Sequence, residues 1–220
     1  MMNQEQLIAQ TIAFVKEKLQ NAEGGHDWFH TERVLNTSKL IAQHEEVDPL
    51  IVQLAAILHD VADAKFHNGD ETVGPNTARA FLTTKKVDAK IVEHVVNIIQ
   101  HMSFKNSLEN GEAPFSSLEM KVVQDADRLD AIGAIGIART FNYGGFKNRP
   151  LYDPDIAPSL NLSKEAYKKS NAPTINHFYE KLLLLKDQMN TETGKRLAQE
   201  RHLFMLEYLT QFYGEWNGER

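Results

Sequence analysis

The chain has 220 residues, 42% of them hydrophobic and 25% charged, ordinary proportions for a soluble globular protein with a substantial core. It contains no Cys, which excludes a disulfide scaffold and thiolate metal ligation. A formal net charge of -6 argues against a general binder of nucleic-acid polymers, yet leaves room for a small phosphorylated substrate in a locally positive cleft.

The opening MMNQEQLIAQ lacks the basic stretch and apolar core of a secretory signal. No apolar run nears the ~20 residues that cross a bilayer, so a cytoplasmic protein without membrane association is expected. Asn3–Leu19 reads as an amphipathic helix, with Leu7, Ile8, Ile12, Val15 and Leu19 at helical spacing. A second helix is predicted from Trp28 to His44, with Val34, Leu35, Leu40 and Ile41 inward. Asp48-Pro49 is a helix start, an N-cap followed by Pro in the first turn, and leads into a strongly apolar helix reaching Asp60. Residues 65–74 read as a loop and Thr77–Thr83 as a short helix. Asp88 caps a helix that carries Ile91, Val92, Val95, Ile98 and Ile99 toward Ser103, and 106–114 is a further loop.

From Ser117 a helix is predicted through Ala131 and on to Thr140. Gly133 and Gly136 cost it about 1 kcal/mol each, and either permit close packing or mark a kink. The stretch 141–173, rich in Gly and Pro, is expected to be irregular and to cover the active site. Asn171–Met189 and Thr193–Tyr213 read as helices, the latter with Leu197, Phe204, Leu206 and Leu209 as core positions. No repeat and no convincing strand is seen. The expectation is an all-α helical bundle forming a single domain, 1–220.

His59-Asp60, with His30 upstream and Asp127 downstream, combines borderline nitrogen and hard oxygen donors. Taken as one site, that mixture suits an octahedral first-row divalent ion better than closed structural zinc. Such an ion supplies Lewis acidity to a phosphoryl group and a nucleophile at neutral pH, which points to metal-assisted phosphate hydrolysis. His59 and Asp60 project about 100° apart on a helix, so one ion meets both only between helices or at a helix end. Each of these residues has an ordinary structural reading too: an isolated His near an apolar face is commonly packed or capped.

Three segments carry a family resemblance. They are His26-Asp27-Trp28-Phe29-His30 with Arg33-Val34, His59-Asp60 followed by Val61-Ala62-Asp63-Ala64-Lys65, and Asp127 within Gln124-Asp125-Ala126-Asp127-Arg128-Leu129-Asp130. On these the chain resembles the HD-domain superfamily of metal-dependent phosphohydrolases, with a metal-binding core over 24–139. The resemblance implies the HD helical bundle with additional C-terminal helices. It also implies one divalent ion per chain held by His30, His59, Asp60 and Asp127, with Mn²⁺ favoured over Fe²⁺, Co²⁺, Ni²⁺ or Mg²⁺. Asn176-His177-Phe178-Tyr179-Glu180 and Gly194-Lys195-Arg196 resemble a small bacterial stand-alone branch. That branch hydrolyses deoxynucleoside triphosphates to monophosphate and pyrophosphate.

Other groups are assigned around the ion. Asp63, one turn after Asp60, is the candidate to orient or deprotonate the attacking water. Lys65 and His94 complete the catalytic candidates. Arg33, one turn after His30, and Lys65 are candidate phosphate contacts, as are His26 and His101. For Arg33 and Lys65 a surface ion pair is the competing reading. Tyr143, Lys147 and Arg149 interleave cations with an aromatic ring and could cover a base and its phosphates, or equally serve an exposed linker. Asp130 either reinforces the site or caps a basic group. The rival functions are a nucleoside 5′-monophosphatase or other phosphomonoesterase or phosphodiesterase on the same scaffold, and a non-catalytic nucleotide-sensing module. The apolar termini permit a homodimer.

Overall fold

The computed structural model describes residues 2–20, 27–62, 70–102, 115–160 and 172–220. Its Cα packing divides the chain into two compact units, Met1–Asp127 and Arg128–Arg220. All regular structure among the described residues is helical, as expected for the all-α bundle with additional C-terminal helices. No described helix is long and apolar enough to cross a membrane.

The first unit contains α1 (Gln4–Lys18), α2 (Trp28–Ala42), α3 (Pro49–Leu58), α4 (Val73–Thr84), α5 (Ala89–His101) and most of α6 (Leu118–Asp130). Apart from α4, its helices start where side chains can satisfy the first free N–H groups. Asn3 forms a capping box with Gln6 at the head of α1. Asp27, Asp48 and Asp88 cap α2, α3 and α5. The run Leu50–Leu58 is buried at every position except Gln53, and α3 packs against α1, α2 and α5, so it forms the centre of the unit. A helix apolar on all sides belongs there because no face of it can be left to water.

Helix α4 is longer than the Thr77–Thr83 expected from sequence. Gly74 and Pro75 read as breakers, but both sit in its first turn, where Pro is tolerated. Gly74 is buried, and a Cβ there would stand 3.2 Å from the Ala62 carbonyl oxygen. The loop expected at 106–114 lies outside the described residues, as does the first half of the one at 65–74.

The single helix expected from Ser117 to Thr140 is two. α6 ends at Asp130, and α7 (Gly133–Phe146) starts after a break at Ala131-Ile132. Gly133 has φ +72°, a region L side chains rarely adopt. A Cβ on Gly136 would collide with the Ala131 carbonyl, so the break between the two helices takes this form only with glycine at that position. α7 also runs further than expected and absorbs Tyr143 into regular structure.

The second unit continues with α8 (Asn176–Glu180), a 3-10 helix Leu182–Gln188 and α9 (Glu192–Trp216). The predicted helix Asn171–Met189 is therefore broken, at Lys181 (φ -145°), and the tighter winding that follows buries Leu182 and Leu185 at the three-residue spacing of a 3-10 turn. α7 and the 3-10 helix pack on α9, whose buried stripe is Ala198, Met205 and Leu209. Phe204 and Leu206, expected in the core, flank that stripe and are 47% and 39% exposed. Phe178 is fully buried between Phe141 and Tyr208, with ring centroids 6.1 and 6.0 Å away.

His177 sits in this unit beside two cations. Burial first, then the charges of Lys181 and Arg149, pushes its imidazole from 6.5 down to about 4. The unfolded chain takes up a proton near pH 6.5 that the folded chain refuses until about pH 4, so stability falls as pH drops through that window. His177→Gln is expected to remove about 2 kcal/mol of the acid-induced loss. Urea unfolding of both proteins at pH 7 and pH 4.5 measures it, and parallel losses would show that His177 titrates normally.

Candidate metal centre

His30 is delivered by the start of α2. The Asp27 side chain that caps this helix accepts the His30 N–H at 2.9 Å, which fixes the residue in the first turn. The imidazole is then directed into the unit, the residue being 2% exposed. His59 and Asp60 follow the last residue of α3, in a turn closed by the Val61 N–H donating to the Leu58 carbonyl at 3.1 Å. That helix end answers the 100° problem, since the doublet is no longer confined to one cylinder. Asp127 stands in the last turn of α6.

Three ligand-type side chains converge, His30, His59 and Asp127, and Asp60 borders the two imidazoles. His30 Nε2 lies 3.3 Å from His59 Nε2, 3.6 Å from Asp60 Oδ2 and 3.4 Å from Asp127 Oδ1. His59 Nε2 is 3.6 Å from the same Asp60 oxygen. His30, His59 and Asp127 each offer a donor atom, all within 4.8 Å of one another. Atoms bonded to one ion at about 2.1 Å stand roughly 3 Å apart when adjacent, so these spacings fit a shared cation with little closure.

The donor chemistry agrees. The His59 Nδ1–H donates to the Ala56 carbonyl at 2.8 Å. A carbonyl only accepts, so that bond puts the proton on Nδ1 and leaves the Nε2 lone pair directed at the cluster. This is the backbone support that metal-ligating imidazoles use to hold their tautomer. Two carboxylates facing two imidazoles also neutralise a divalent charge while still admitting an anion. Burial alone would raise the Asp127 carboxyl. With the imidazoles protonated and no ion between them, the hydrogen bond from His30 and the charges of His59 and His30 outweigh it, against Asp60, and hold the group below the usual carboxylate range; an ion takes the place of those protons when it binds. The imidazoles expose 3% of their side chains, whereas Asp60 exposes 22% and Asp127 43%, so the cluster opens to solvent on its carboxylate side.

The outer candidates divide. Arg33 lies on α2 one turn beyond His30, half-buried. His101 ends α5, its Nδ1–H donating to the Asn97 carbonyl at 2.8 Å and its ring 5.6 Å from Phe115. Gln124 donates to the Met102 carbonyl at 3.4 Å, which brings this end of α5 to the level of α6 one turn before Asp127. His94 is not brought to the cluster. Its Nε2 is 3.4 Å from Glu119 Oε2, and Glu119 accepts the Asp48 N–H at 3.1 Å at the other end of α3. Glu119 precedes Asp127 by about 12 Å of helix rise, so its contact places His94 about two turns of α6 from the level of Asp127. Nothing in the sequence singles out Glu119 or the Ala56 carbonyl, because one is an ordinary surface-type side chain and the other is backbone.

His26, Asp63 and Lys65 lie outside the described residues. In the second unit, Lys147 Nζ and the Arg149 guanidinium each stand 5.6 Å from the Tyr143 ring, a compact cation–aromatic group. Asp130 pairs with Arg139, so it caps a basic group.

The HD-domain family model matches residues 28–132, a span that holds His30, His59, Asp60 and Asp127. YpgQ of Bacillus subtilis (strain 168) is 39% identical over 204 residues, covering 92% of this chain and 90% of its own length. The chain belongs to the HD-domain family. An HD-superfamily hydrolase from Bacillus thuringiensis has the same fold, with a TM-score of 0.78 and 42% identity over 98% of this chain and 99% of its own. B. subtilis YpgQ solved in complex with ADP aligns with a TM-score of 0.75 and 36% identity over 97% of each chain. Family and cluster together support a metal-dependent hydrolase built on the HD bundle.

Proposed function

We propose that this HD-domain protein is a metal-dependent phosphohydrolase that cleaves (deoxy)nucleoside triphosphates at the α-phosphorus, releasing monophosphate and pyrophosphate. The observation that carries the reading is the convergence of His30, His59 and Asp127, with Asp60 against both imidazoles and the carboxylates the more exposed members. The ADP complex of the related YpgQ supports a nucleotide as the substrate class.

His30, His59, Asp60 and Asp127 would hold the ion, Mn²⁺ being favoured by the mixed donors. When bound, it supplies Lewis acidity and a water of lowered pKa. Asp63 takes the proton of the attacking water. The water oxygen bonds to the α-phosphorus as the bond from that phosphorus to the bridging oxygen breaks, and pyrophosphate leaves with the electron pair. Arg33 and Lys65 meet the charge that grows on the phosphoryl oxygens, and His101, near the α6 level of Asp127, contacts the phosphate chain. His26 is assigned to the same phosphate-binding group. Tyr143, Lys147 and Arg149 have the chemistry to hold a base and a phosphate in the second unit.

The test is a Mn²⁺-supplemented screen of the full chain against nucleoside mono-, di- and triphosphates, with phosphate and pyrophosphate measured separately. Pyrophosphate from triphosphates is the expected product. Inorganic phosphate alone would reassign the enzyme as a phosphomonoesterase, and no turnover with any nucleotide would reassign it as a sensing module.

A further inference from the structure

The last turn of α6 carries Asp127 and ends in carbonyls that no helical N–H can satisfy. The chain's own return covers part of the need: the Ala131 N–H donates to the Arg128 carbonyl at 3.1 Å, and the Ile132 N–H to the Leu129 carbonyl at 3.2 Å. Two arginines from later helices add to this. Arg201 of α9 donates through Nη1 to the same Leu129 carbonyl. Arg139 of α7 donates through Nη1 to the Asp130 carbonyl at 3.2 Å and to the Asp130 carboxylate, the residue being 4% exposed. Cations at a helix C-terminus also oppose the negative end of its dipole.

The place for Arg201 is built into the backbone. Gly133, at φ +72°, passes so close that a Cβ would lie 3.0 Å from the Arg201 Cγ and 3.1 Å from its Cβ. The Arg201 guanidinium is drawn below its ordinary range by burial, against the charges of Asp130 and Glu200, so this is a desolvated contact and not a surface one. A neighbouring arginine on the same helix, Arg196, pairs with Glu200 in solvent and touches none of this.

We infer that Arg201 is a positioning residue for the metal centre: by gripping the Leu129 carbonyl it holds the last turn of α6 in the register that presents the Asp127 carboxylate to the ion. The inference rests on the cation site proposed above. Arg201 never meets the ion or the substrate; it acts through two residues of helix. Outer supports of this kind typically change metal affinity by about 10–100-fold.

The experiment titrates Mn²⁺ into metal-free full-length protein by calorimetry, with electron paramagnetic resonance of the free ion, for the wild type, Arg201→Met, Arg201→Lys and Arg196→Met. Metal-free melting curves are taken alongside. Arg201→Met is expected to weaken Mn²⁺ binding about tenfold, Arg201→Lys to recover part of that loss, and Arg196→Met to match the wild type. A purely structural Arg201 would lower the metal-free melting temperature and leave the Mn²⁺ affinity of the folded protein within about twofold of wild type, which overturns the inference. Should Arg201→Met not fold, Arg201→Lys decides: a loss of about threefold or more supports the inference, a smaller one overturns it. A wild type that binds no Mn²⁺ would instead sink the metal site itself, together with everything built on it.

Discussion

Replacing His59 with Ala is expected to abolish usable Mn²⁺ affinity and, with it, nucleotide hydrolysis. The His59 Nε2 is 3.3 Å from His30 Nε2 and 3.6 Å from Asp60 Oδ2, so its loss removes one corner of the cluster. Structural Zn²⁺ sites with four protein ligands bind with about 10–16 kcal/mol, and Mn²⁺ lies at the weak end of the divalent series, so one ligand here is worth roughly 2–3 kcal/mol, or about two orders of magnitude in affinity. Calorimetric titration of Mn²⁺ reads the loss directly, without assuming a substrate. Asp127→Asn is the sharper companion, since it keeps shape and removes the charge. Unchanged Mn²⁺ affinity in both variants would mean that the ion, if bound, sits elsewhere.

Leu54→Ala is expected to cost about 3–4 kcal/mol of folding stability, because Leu54 is fully buried in α3 and its truncation leaves a cavity. The helix that would loosen is the one that ends at the metal doublet. Added Mn²⁺ binds the folded chain preferentially, so at about 100 times its Kd it should return about 2.7 kcal/mol. Urea unfolding with chelator and with saturating Mn²⁺ therefore separates two contributions. A Leu54→Ala protein that unfolds at the wild-type midpoint would show that α3 is not the packed centre of its unit. Equal midpoints with and without Mn²⁺ would show that no ion links to folding.

Much of the first unit is legible from residue pattern. Asp48-Pro49 announces α3, and Asp88 announces α5, because a capping carboxylate before an apolar period has one obvious use. The four candidate ligands are legible through family resemblance rather than through spacing, since no periodicity links His30, His59 and Asp127 across three helices. What stays hidden depends on long-range contacts. Gly133 and Gly136 read equally as packing glycines or a kink, and only the nearness of the Ala131 carbonyl and the Arg201 side chain decides. Gly144-Gly145 reads as a loop, yet α7 continues through them, and at Gly144 it is the nearness of the Thr174 hydroxyl, not a turn, that excludes a side chain. His94 is a catalytic candidate from sequence and His101, seven residues on along the same helix, a phosphate contact. A helix that long separates its ends, and His94 falls at the end facing Glu119.

The glycines in the first turn of α7 have a consequence for how this chain can drift. A side chain of any size at position 136 meets main chain, which cannot swing aside as a rotamer can. Position 145, where a Cβ would have nothing within 4 Å, accepts almost any residue. Mutational latitude in α7 is therefore set position by position: 136 in the first turn and the buried 144 in the last are closed to a side chain, whereas 145 beside it is open.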